Sequence, residues 1–421
     1  MNILFIHQNF PGQFKNLAPA LAARGDRCVA LTLRVEKPTN WKGVQVLPYK
    51  IRRKPGEGVH PWLVDLNTKL HRAESCLVAA IELKEKGFTP DIIVAHPGWG
   101  ESLFLRDVWP EARIGLYYEL FYQAQAGDAG FDPEFAKPDD VFASQRIRMK
   151  NINNHLHLPL GDMGICPTEF QASSFPKAYR ERISVVHDGI DTRMAKPNAD
   201  VRFDLPDGSV LTREDQVITF VNRNLEPYRG FHVFMRALPQ ILAESPKARV
   251  LIVGGEERSY GPAAPSGQSW KDVFTQEVRG SIPNADWARV HFLGKLPYDR
   301  FLSLLQVSTV HVYLTYPFVL SWSLLEAMSC EAAIVASNTA PVTEVITHGK
   351  TGRLVDFFDR AALAREVRDL LYDQEQRESL GRAARQVILD QYDLNEICLP
   401  KQLAWIDHLF AAEAGPVEPV E

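Results

Sequence analysis

The chain alternates short, almost continuous apolar runs with stretches whose apolar residues recur every three or four positions. The first run, Ile3 to Ile6, is followed by the polar turn HQNFPGQF and then by helical spacing from Phe14 to Leu21. Similar runs follow Asp91 (IIVA) and cover 114–118 and 163–166. Because a parallel strand that is covered on both faces reads as a continuous apolar run, this order predicts βαβ units and a parallel sheet.

The alternation restarts after residues 193–215, a segment rich in Pro, Asp and Arg with little periodicity, so we predict a domain boundary near it. Beyond it, the pattern predicts strands at 217–221, 249–253, 290–293, 310–314 and 333–337. It predicts helices at 231–242, 300–306, 322–329, 361–372, 378–391 and 399–412. The stretch from Glu256 to Asp286 reads as a long insertion loop, which in compact domains is often functional.

The composition argues against several classes of protein. The chain has 421 residues, 45% apolar and 24% charged, which is typical of a soluble globular protein of two or three domains. No stretch approaches the about 20 apolar residues of a membrane span. The formal net charge of -5 argues against wrapping nucleic acid over a large surface.

The cysteines and the N-terminus indicate the compartment. The five cysteines are scattered without CxxC spacing, so we predict neither a disulfide framework nor a zinc site. The start, MNILFIHQNF, reads as a buried strand and not as a signal peptide. We therefore expect a cytoplasmic protein.

Three candidate site residues follow strands of the first half. Gly12, in NFPGQF, precedes a helix start whose amides could receive an anion, although an ordinary turn explains it equally. His96 lies in HPGWG, a motif in which the histidine is a donor and acceptor, the glycines permit close backbone approach and the tryptophan offers a stacking face. The alternative is a buried structural histidine. Glu119, in YYELFY, is either a general base or a carboxylate paired with Arg146 or Arg148.

The second half carries further candidates. Arg223 and Arg229, in VNRNLEPYRG, flank a strand end and a helix start and could clamp a diphosphate, or lie in a solvated loop. Gly254, in IVGGEER, permits a tight turn against a ligand, or a plain turn. In YPFVLSWSLLEAMSC, Glu326 could accept hydrogen bonds from a ribose, and the amides at the helix start could hold a phosphate. That helix start comprises Leu320, Ser321, Trp322 and Ser323.

Taken in order, these motifs resemble the retaining family 4 glycosyltransferases of GT-B fold. Asn222-Arg223, Arg229-Gly230 and LEAMSC (325–330) stand where the family has Gly-Arg, Lys-Gly and Glu-Ala-Met-Ala-Cys-Gly. The segment VHDGID (186–191) is similar to the family's Val-Pro-Asn-Gly-Val-Asp hinge motif. The resemblance spans 185–356 well and the first half more loosely.

The resemblance implies two Rossmann-like domains that face each other across a cleft. It implies an NDP-sugar as co-substrate, no metal and no other cofactor. Arg223 and Arg229 would bind the diphosphate, Gly12 would lie near it, and Glu326 would bind the ribose. The predicted division is 1–192 for an acceptor-binding domain, 193–395 for a nucleotide-sugar domain, 396–412 for a helix returning to the first domain, and 413–421 for a disordered tail.

The chain also departs from the family. Phe318 stands where the family has the first Glu of its Glu-x7-Glu motif, placed near the donor sugar. The following glycines are Val319, Leu320 and Ser321, and the last Gly of the motif is Glu331. The family's first-domain His falls at Glu119 or a neighbouring residue, with His96 one strand earlier. Donor recognition is then altered, or activity is lost, or the alignment is shifted by one strand.

The leading functional prediction is a retaining glycosyltransferase that acts on a glycan, lipid-linked or small-molecule acceptor. Arg223 and Arg229 would stabilise the charge on the leaving diphosphate, and His96 and Glu119 would orient the sugar or the acceptor. The alternatives are a catalytically silent family member that binds nucleotide or glycan, and an epimerase or phosphorylase on the same fold. We expect no nucleic-acid partner, and the oligomeric state stays open.

A basic run, KIRRK from Lys50 to Lys54, precedes a loop with His60, Pro61 and Trp62. It is either a solvated charged loop or a contact with anionic lipid or an anionic acceptor. The second interpretation predicts peripheral association with the inner face of a membrane.

Overall fold

The computed structural model describes residues 1–53, 58–125, 127–136 and 139–411, which form two compact units. Unit 1 contains the described residues within 1–125, 139–188 and 395–411. Unit 2 contains 127–136 and 189–394. Each unit has helices around a mainly parallel sheet, so the predicted α/β class is confirmed.

The strands and helices have the following bounds. The strands are β1 Asn2–Ile6, β2 Arg27–Thr32, β3 Thr39–Trp41, β4 Val44–Pro48, β5 Ile92–Ala95, β6 Arg113–Tyr117, β7 Met163–Cys166, β8 Ile183–Val185, β9 Phe203–Asp204, β10 Val210–Leu211, β11 Val217–Asn224, β12 Arg249–Gly255, β13 Val290–Gly294, β14 Val310–Tyr313, β15 Ala333–Ser337 and β16 Arg353–Val355. The α-helices are α1 Leu17–Arg24, α2 Val64–Glu85, α3 Leu105–Val108, α4 Ala143–Lys150, α5 Ile152–His157, α6 Glu169–Ser173, α7 Lys177–Arg180, α8 Phe231–Glu244, α9 Trp270–Arg279, α10 Asn284–Trp287, α11 Tyr298–Val307, α12 Trp322–Ser329, α13 Ala340–Thr343, α14 Arg360–Tyr372, α15 Gln374–Val387 and α16 Leu399–Ala411.

The sheet of unit 1 has the order β3-β4-β2-β1-β5-β6-β7-β8 and is parallel except for β3. Its central strands β1 and β5 pair in register, with Ile3 opposite Ile92. Their side chains are buried on both faces, which is why each strand reads as a continuous apolar run. The carboxyl ends of β1, β5 and β6 therefore lie side by side at one edge of the sheet.

The C-terminal helix α16 packs on unit 1, as predicted. Its residues Trp405 and Leu409 are buried over Gly115 of β6. A Cβ atom on Gly115 would lie 2.5 Å from the Trp405 ring and 2.6 Å from a Leu409 methyl carbon. Glycine at this strand position thus lets the helix approach the sheet closely.

The six-stranded sheet of unit 2 is entirely parallel, in the order β13-β12-β11-β14-β15-β16. The short strands β9 and β10 form a separate antiparallel pair. The neighbours β11 and β14 lie at the centre of the six-stranded sheet, so the loops that follow them meet at one edge. Gly230, which begins α8 after β11, has φ 67°, and a Cβ atom there would lie 2.3 Å from Cβ of Leu314. Only glycine permits this approach between the two loops.

The predicted domain boundaries need correction. The first boundary lies between Asp188 and Gly189, inside VHDGID, and not between 192 and 193. The last lies between 394 and 395, and not between 395 and 396. The aperiodic segment 193–215 is no linker, because its apolar side chains join the core of unit 2. These side chains are Val201, Phe203, Leu205 and Leu211.

The segment from Glu256 to Asp286 lies between β12 and β13, as predicted for an insertion between strands, but it is not a continuous loop. Residues 270–279 form α9, which begins with a capping box between Ser269 and Asp272. The helix buries Phe274 and Val278, which are four positions apart and lie on one face. The helix was not predicted because the segment begins with a stretch rich in proline and glycine.

A third correction concerns residues 127–136, which the sequence placed in the first domain. They follow β6 along the chain but belong to unit 2, and they contain neither helix nor strand. We call them the strap. The predicted tail 413–421 lies outside the described residues, and among the described helices none is long and apolar enough to span a bilayer.

The packing of α16 makes a testable prediction. Replacing Trp405 by Ala should lower the free energy of unfolding by about 3–5 kcal/mol, because a buried aromatic ring is lost and a cavity remains beside Gly115. Urea unfolding provides the measurement. Phe410→Ala is the matched control, since that ring is 51% exposed. Equal, small losses for both variants would contradict the docking of α16.

Candidate functional site

In unit 1, three candidate side chains follow the adjacent strands β1, β5 and β6. His7 follows β1, His96 follows β5 and Glu119 follows β6. Nε2 of His96 lies 3.6 Å from Oε2 of Glu119. The structure thus brings together His96 and Glu119, which the sequence treated as alternatives for one position.

A hydrogen-bond relay fixes the other oxygen of Glu119. The side-chain amide of Gln13 donates to Oε1 of Glu119 at 2.9 Å, and its carbonyl lies 2.7 Å from Nε2 of His7. Nδ1 of His7 accepts from the Asn9 amide at 2.9 Å, so Nε2 carries the proton and donates to Gln13. By the same logic Nδ1 of His96, which accepts from Gly98, leaves the Nε2 proton pointing at Glu119.

The electrostatics of this cluster favour an ionised Glu119 beside a neutral His7. Burial, and then the nearby His96, lower the pKa of His7 to about 3. Burial alone would raise the pKa of Glu119, but the neighbouring His96, followed by His7 and Gln13, lowers it below its usual value. Glu119 is therefore ionised at neutral pH, with a side chain 43% exposed and open to a ligand.

The predicted pairing of Glu119 with Arg146 or Arg148 does not form. Arg146 pairs with Asp140 instead, and the partners of Glu119 are Gln13 and His96. The Trp99 ring of the same motif stacks on the His96 ring, with centroids 4.4 Å apart. Stacking of a ligand on this motif stays a prediction.

Gly12 begins a short 3₁₀ turn beside this cluster. It has φ 47°, and a Cβ atom there would lie 2.2 Å from Nε2 of His7. The glycine is thus needed to leave room for the His7 ring and to aim Gln13 at Glu119. A role beside a diphosphate stays a prediction.

In unit 2, Arg229 is buried rather than solvated. Its Nη1 donates to the hydroxyl groups of Thr315 at 2.8 Å and Tyr313 at 3.3 Å, and to the carbonyl of Val319 at 2.9 Å. These bonds connect the start of α8 with the loop after β14. Within the described residues, Nε and Nη2 make no hydrogen bond, so part of the guanidinium keeps its donors for a ligand.

Arg223 lies at the exposed end of β11, apart from that buried group. Its charge, with the closer Lys295, acts on Glu257, and Nζ of Lys295 lies 2.8 Å from Oε2 of Glu257. The hydrogen bond from Lys295 is the largest cause that lowers the pKa of Glu257. Within the described residues Arg223 has no ion pair, so its charge is available to an anion.

Gly254 has a packing explanation. A Cβ atom there would lie 2.8 Å from Leu225 and 3.0 Å from the carbonyl of Asn222, both on the neighbouring chain segment. The glycine lets β12 run close to the turn that follows β11.

The start of α12 already uses two of its predicted phosphate-binding amides. The Ser321 amide donates to the Tyr313 hydroxyl at 2.9 Å, and the Ser323 amide donates to Oγ of Ser321 at 3.3 Å. Phosphate binding at this helix start stays a prediction.

Glu326 is buried one turn into α12. Its Oε1 accepts a hydrogen bond from the hydroxyl of Tyr298 at 2.8 Å. Burial, and then the charge of Glu326, raise the pKa of Tyr298, so this phenol stays protonated and donates. A carboxylate held in this way has one oxygen oriented by the protein.

The departures from the family pattern are visible in the fold. Phe318 is buried, with its ring 4.9 Å from that of Tyr260 and 5.5 Å from that of Tyr228. The Arg229 guanidinium lies over Phe318 at 5.6 Å. Glu331, which replaces the motif's last glycine, has φ 62°, a conformation that favours glycine.

The sequence did not predict several residues of the two candidate sites. His7 and Gln13 stand in the quoted turn HQNFPGQF, where only glycine and the strand end attracted attention. Lys295 and Tyr298 follow a strand, and position after a strand was the one available signal for both. Tyr260 lies within the segment predicted to be an insertion.

One group of side chains has the spacing of a metal site. Ligand atoms of Asp132, Glu134 and His232 lie within 4.8 Å of one another. However, the guanidinium of Arg236 bonds to both oxygens of Glu134, at 2.5 and 2.8 Å, and supplies the positive charge there. The cluster therefore gives no reason to infer a metal.

Two family models match the chain. The glycosyl transferase family 4 group matches residues 24–195, and the glycosyl transferases group 1 matches residues 204–387. Together they span most of both units. The chain belongs to the family 4 glycosyltransferases. The family predicted from the motifs is thereby confirmed.

Relatives and solved structures agree with this family 4 membership. A D-inositol 3-phosphate glycosyltransferase of Corynebacterium efficiens is 26% identical over 207 residues, 48% of this chain and 46% of that protein. The chain thus spans about half the length of this curated relative. A sucrose-phosphate synthase from Thermosynechococcus elongatus has TM-score 0.74 and 17% identity, over 98% of this chain and 100% of that one. An Anabaena protein, HepE, in complex with UDP and glucose, has TM-score 0.66 and 16% identity, over 96% and 99%. These structures show the GT-B fold class.

The neutral state of His7 predicts a pH dependence for this family 4 glycosyltransferase. Below pH 6.5 the unfolded chain protonates His7 while the folded one does not, down to about pH 3, so stability falls as the pH is lowered. One such group contributes up to about 1.4 kcal/mol per pH unit.

Urea unfolding of the wild type and of His7→Gln between pH 7 and 4.5 measures this slope. We expect the variant to lose stability less steeply than the wild type. His408→Gln, on an exposed face of α16, controls for the loss of one imidazole. Parallel slopes for the wild type and His7→Gln would contradict a neutral His7.

Proposed function

We propose that the protein is a retaining glycosyltransferase that transfers a sugar from an NDP-sugar to an acceptor hydroxyl without a metal. Unit 2 would bind the donor and unit 1 the acceptor, as the family resemblance implies. The observation that carries this proposal is a pair of cations, Arg223 at the end of β11 and Arg229 in the turn after it, in the same unit as the buried Glu326. Cations suit a diphosphate, and a carboxylate suits ribose hydroxyls.

The chemistry follows from these groups. The bond between the anomeric carbon and the diphosphate oxygen breaks, and a bond from the acceptor oxygen to the same face of that carbon forms. The acceptor proton passes to the departing phosphate. Arg223 and the free edge of Arg229 would stabilise the charge that develops on this phosphate, which is typically the largest contribution to such catalysis.

Unit 1 offers a matching acceptor site. Glu119 is an ionised carboxylate that the Gln13 relay orients, and His96 carries a proton beside it. Carboxylate and imidazole together can accept from and donate to sugar or polyol hydroxyls. The complex of HepE with UDP and glucose supports a uridine nucleotide among the donors to be tested first.

The role of Arg223 is directly testable. Arg223→Met should lower kcat/KM roughly 10²- to 10³-fold, because a cation at the developing phosphate charge is lost. Release of NDP from a panel of nucleotide-sugars, with and without acceptors, provides the measurement. Arg360→Met, at the exposed start of α14 in the same unit, is the matched control. Equal rates for the two variants would rule out Arg223 as a diphosphate ligand.

One observation supports a second candidate, a silent family member that binds nucleotide or glycan. Phe318, in place of the family's glutamate, is buried among rings and offers no oxygen to a donor sugar. Calorimetry with the same nucleotide-sugar panel separates the two candidates. Binding without turnover for every donor and acceptor would favour the silent protein.

We further propose peripheral contact with an anionic membrane through unit 1. Leu63 and Val64, where α2 begins, are 36% and 51% exposed, and Val141 and Phe142, before α4, are 75% and 54% exposed. The rings of Trp62 and Phe142 lie 5.8 Å apart, so these two segments form one apolar surface.

The basic run contributes charge to the same unit. Arg52 and Arg53 run along α2, where the Arg52 amide bonds to Ser75, and both arginines are exposed. Lys54, the end of the run, lies outside the described residues. Exposed apolar side chains and exposed arginines on one unit suit an anionic lipid surface. The five cysteines are buried free thiols, in keeping with the proposed cytoplasmic location.

Vesicle binding tests this surface. Arg52→Glu/Arg53→Glu should reduce co-sedimentation with vesicles containing phosphatidylglycerol by about tenfold or more, because each arginine contributes about 1 kcal/mol near an anionic surface. Arg360→Glu/Arg365→Glu, two exposed positions on α14, make the same charge change elsewhere. Unchanged sedimentation with unchanged activity would identify the run as a solvated loop.

A further inference from the structure

The strap carries two carboxylates that the proposed mechanism does not use. Asp128 and Asp132 are 5% and 3% exposed, although the strap has no helix or strand to hold them. Buried carboxylates are rare unless they are paired, so their partners explain why the strap is placed where it is.

Each of these carboxylates accepts a hydrogen bond from a phenol. The hydroxyl of Tyr228 donates to Oδ2 of Asp128 at 2.7 Å, and the hydroxyl of Tyr316 donates to Oδ2 of Asp132 at 2.7 Å. Nε2 of His232 lies 2.9 Å from the same Asp132 oxygen. Burial alone would raise the pKa of Asp132, but the bonds from His232 and Tyr316 outweigh it and lower that pKa, so Asp132 is ionised.

Other contacts of the strap dock it on unit 2. Glu134 pairs with Arg236 of α8, which also pairs with Glu277. Phe131 packs against Phe358 at 5.4 Å and against Tyr316 at 5.1 Å. The Glu134 pair lies on the surface and touches neither Tyr228 nor Tyr316.

Ring contacts connect the two phenols to Arg229. The rings of Tyr228 and Tyr316 are 4.7 Å apart, and the Tyr316 amide donates to the Tyr228 carbonyl at 3.0 Å. Tyr228 packs edge-on against Phe318 at 5.5 Å. Phe318 and Tyr260 in turn flank the Arg229 guanidinium, at 5.6 and 5.5 Å.

Tyr260 is held by another buried carboxylate. Oε2 of Glu226 accepts from the backbone amides of Ser259, Tyr260 and Gly261 at 3.2–3.4 Å. Both rings beside Arg229 therefore have a fixed support, one from Glu226 and one from the tyrosines that the strap holds.

We propose that Asp128 and Asp132 are positioning residues of the sugar-transfer site, which act through Tyr228 and Tyr316 on the aromatic walls around Arg229. The proposal rests on the proposed function, because it assumes that Arg229 faces the donor diphosphate. Without its carboxylate a phenol loses the bond that orients its hydroxyl, and a shift of its ring would displace Phe318 and Arg229. Displacing a charge-stabilising group by about 1 Å costs up to about 10²-fold in rate.

The experiment compares four variants with the wild type on the nucleotide-sugar panel. Asp128→Ala and Tyr228→Phe should each lower kcat roughly 10- to 100-fold, with a smaller change in KM. The double variant should be no slower than either single one, because both remove the same bond. Asp128→Asn keeps an oxygen that accepts from Tyr228, and we expect it to retain most of the rate.

Glu134→Gln is the matched control on the same strap. It removes a docking ion pair and leaves both phenols in place, so its kcat should stay at the wild-type value. If Asp128→Ala lowers only the melting temperature and leaves kcat unchanged, the strap is structural and the proposal is overturned. A loss of kcat in Glu134→Gln equal to that in Asp128→Ala would also overturn it.

A binding measurement separates this proposal from the proposed function. If the wild type turns over no donor, the transferase function fails, and calorimetry with UDP, ADP and GDP then decides the positioning role. Weaker binding of a diphosphate by Asp128→Ala and Tyr228→Phe, by about fivefold or more, with Glu134→Gln unchanged, supports it. Equal affinities in all variants contradict it.

Discussion

A buried guanidinium must find oxygen atoms for its N–H groups, and this requirement at Arg229 determines the arrangement of the proposed donor site. Nη1 of Arg229 donates hydrogen bonds to oxygens of Tyr313, Thr315 and Val319. These bonds connect the end of β14 and the loop after it with the start of α8. Its flat faces are covered by rings, which lowers the dielectric around the charge and strengthens any interaction with a phosphate. The glycine at 230 allows this approach of the two loops.

The candidate site of unit 1 is built around a carboxylate instead of an arginine. This site contains an ionised carboxylate, Glu119, whose neighbours have fixed hydrogen-bond directions. Burial keeps His7 neutral, so that Nε2 of His7 donates to Gln13 and Gln13 donates to Glu119. A carboxylate oriented in this way has a defined direction in which it can accept from a hydroxyl group.

The strands of both sheets were predictable because parallel strands with two covered faces leave a continuous apolar run. Met163–Cys166 and Ala333–Ser337 match the prediction residue by residue. The strap and the helix α9 were not predictable in this way. Their places depend on single buried partners, such as the phenol of Tyr228 for Asp128 and the capping box of Ser269 for α9.

In the candidate site, the sequence predicted the main residues but not their partners. Position after a strand identified Glu119, His96, Arg223 and Arg229, but it left their partners open. It could not distinguish the exposed Arg223 from the buried Arg229, since burial depends on which loops meet. It also gave no reason to single out Gln13, which connects two of the cluster's side chains.

The most direct test of the account is a crystal structure of the protein soaked with UDP-glucose and, in parallel, with GDP- and ADP-sugars. The account predicts that one nucleotide binds in unit 2, with diphosphate oxygens within hydrogen-bond distance of Arg223 and of the free edge of Arg229, and a ribose hydroxyl at Glu326. A nucleotide bound elsewhere, or one whose diphosphate contacts neither arginine, would contradict it.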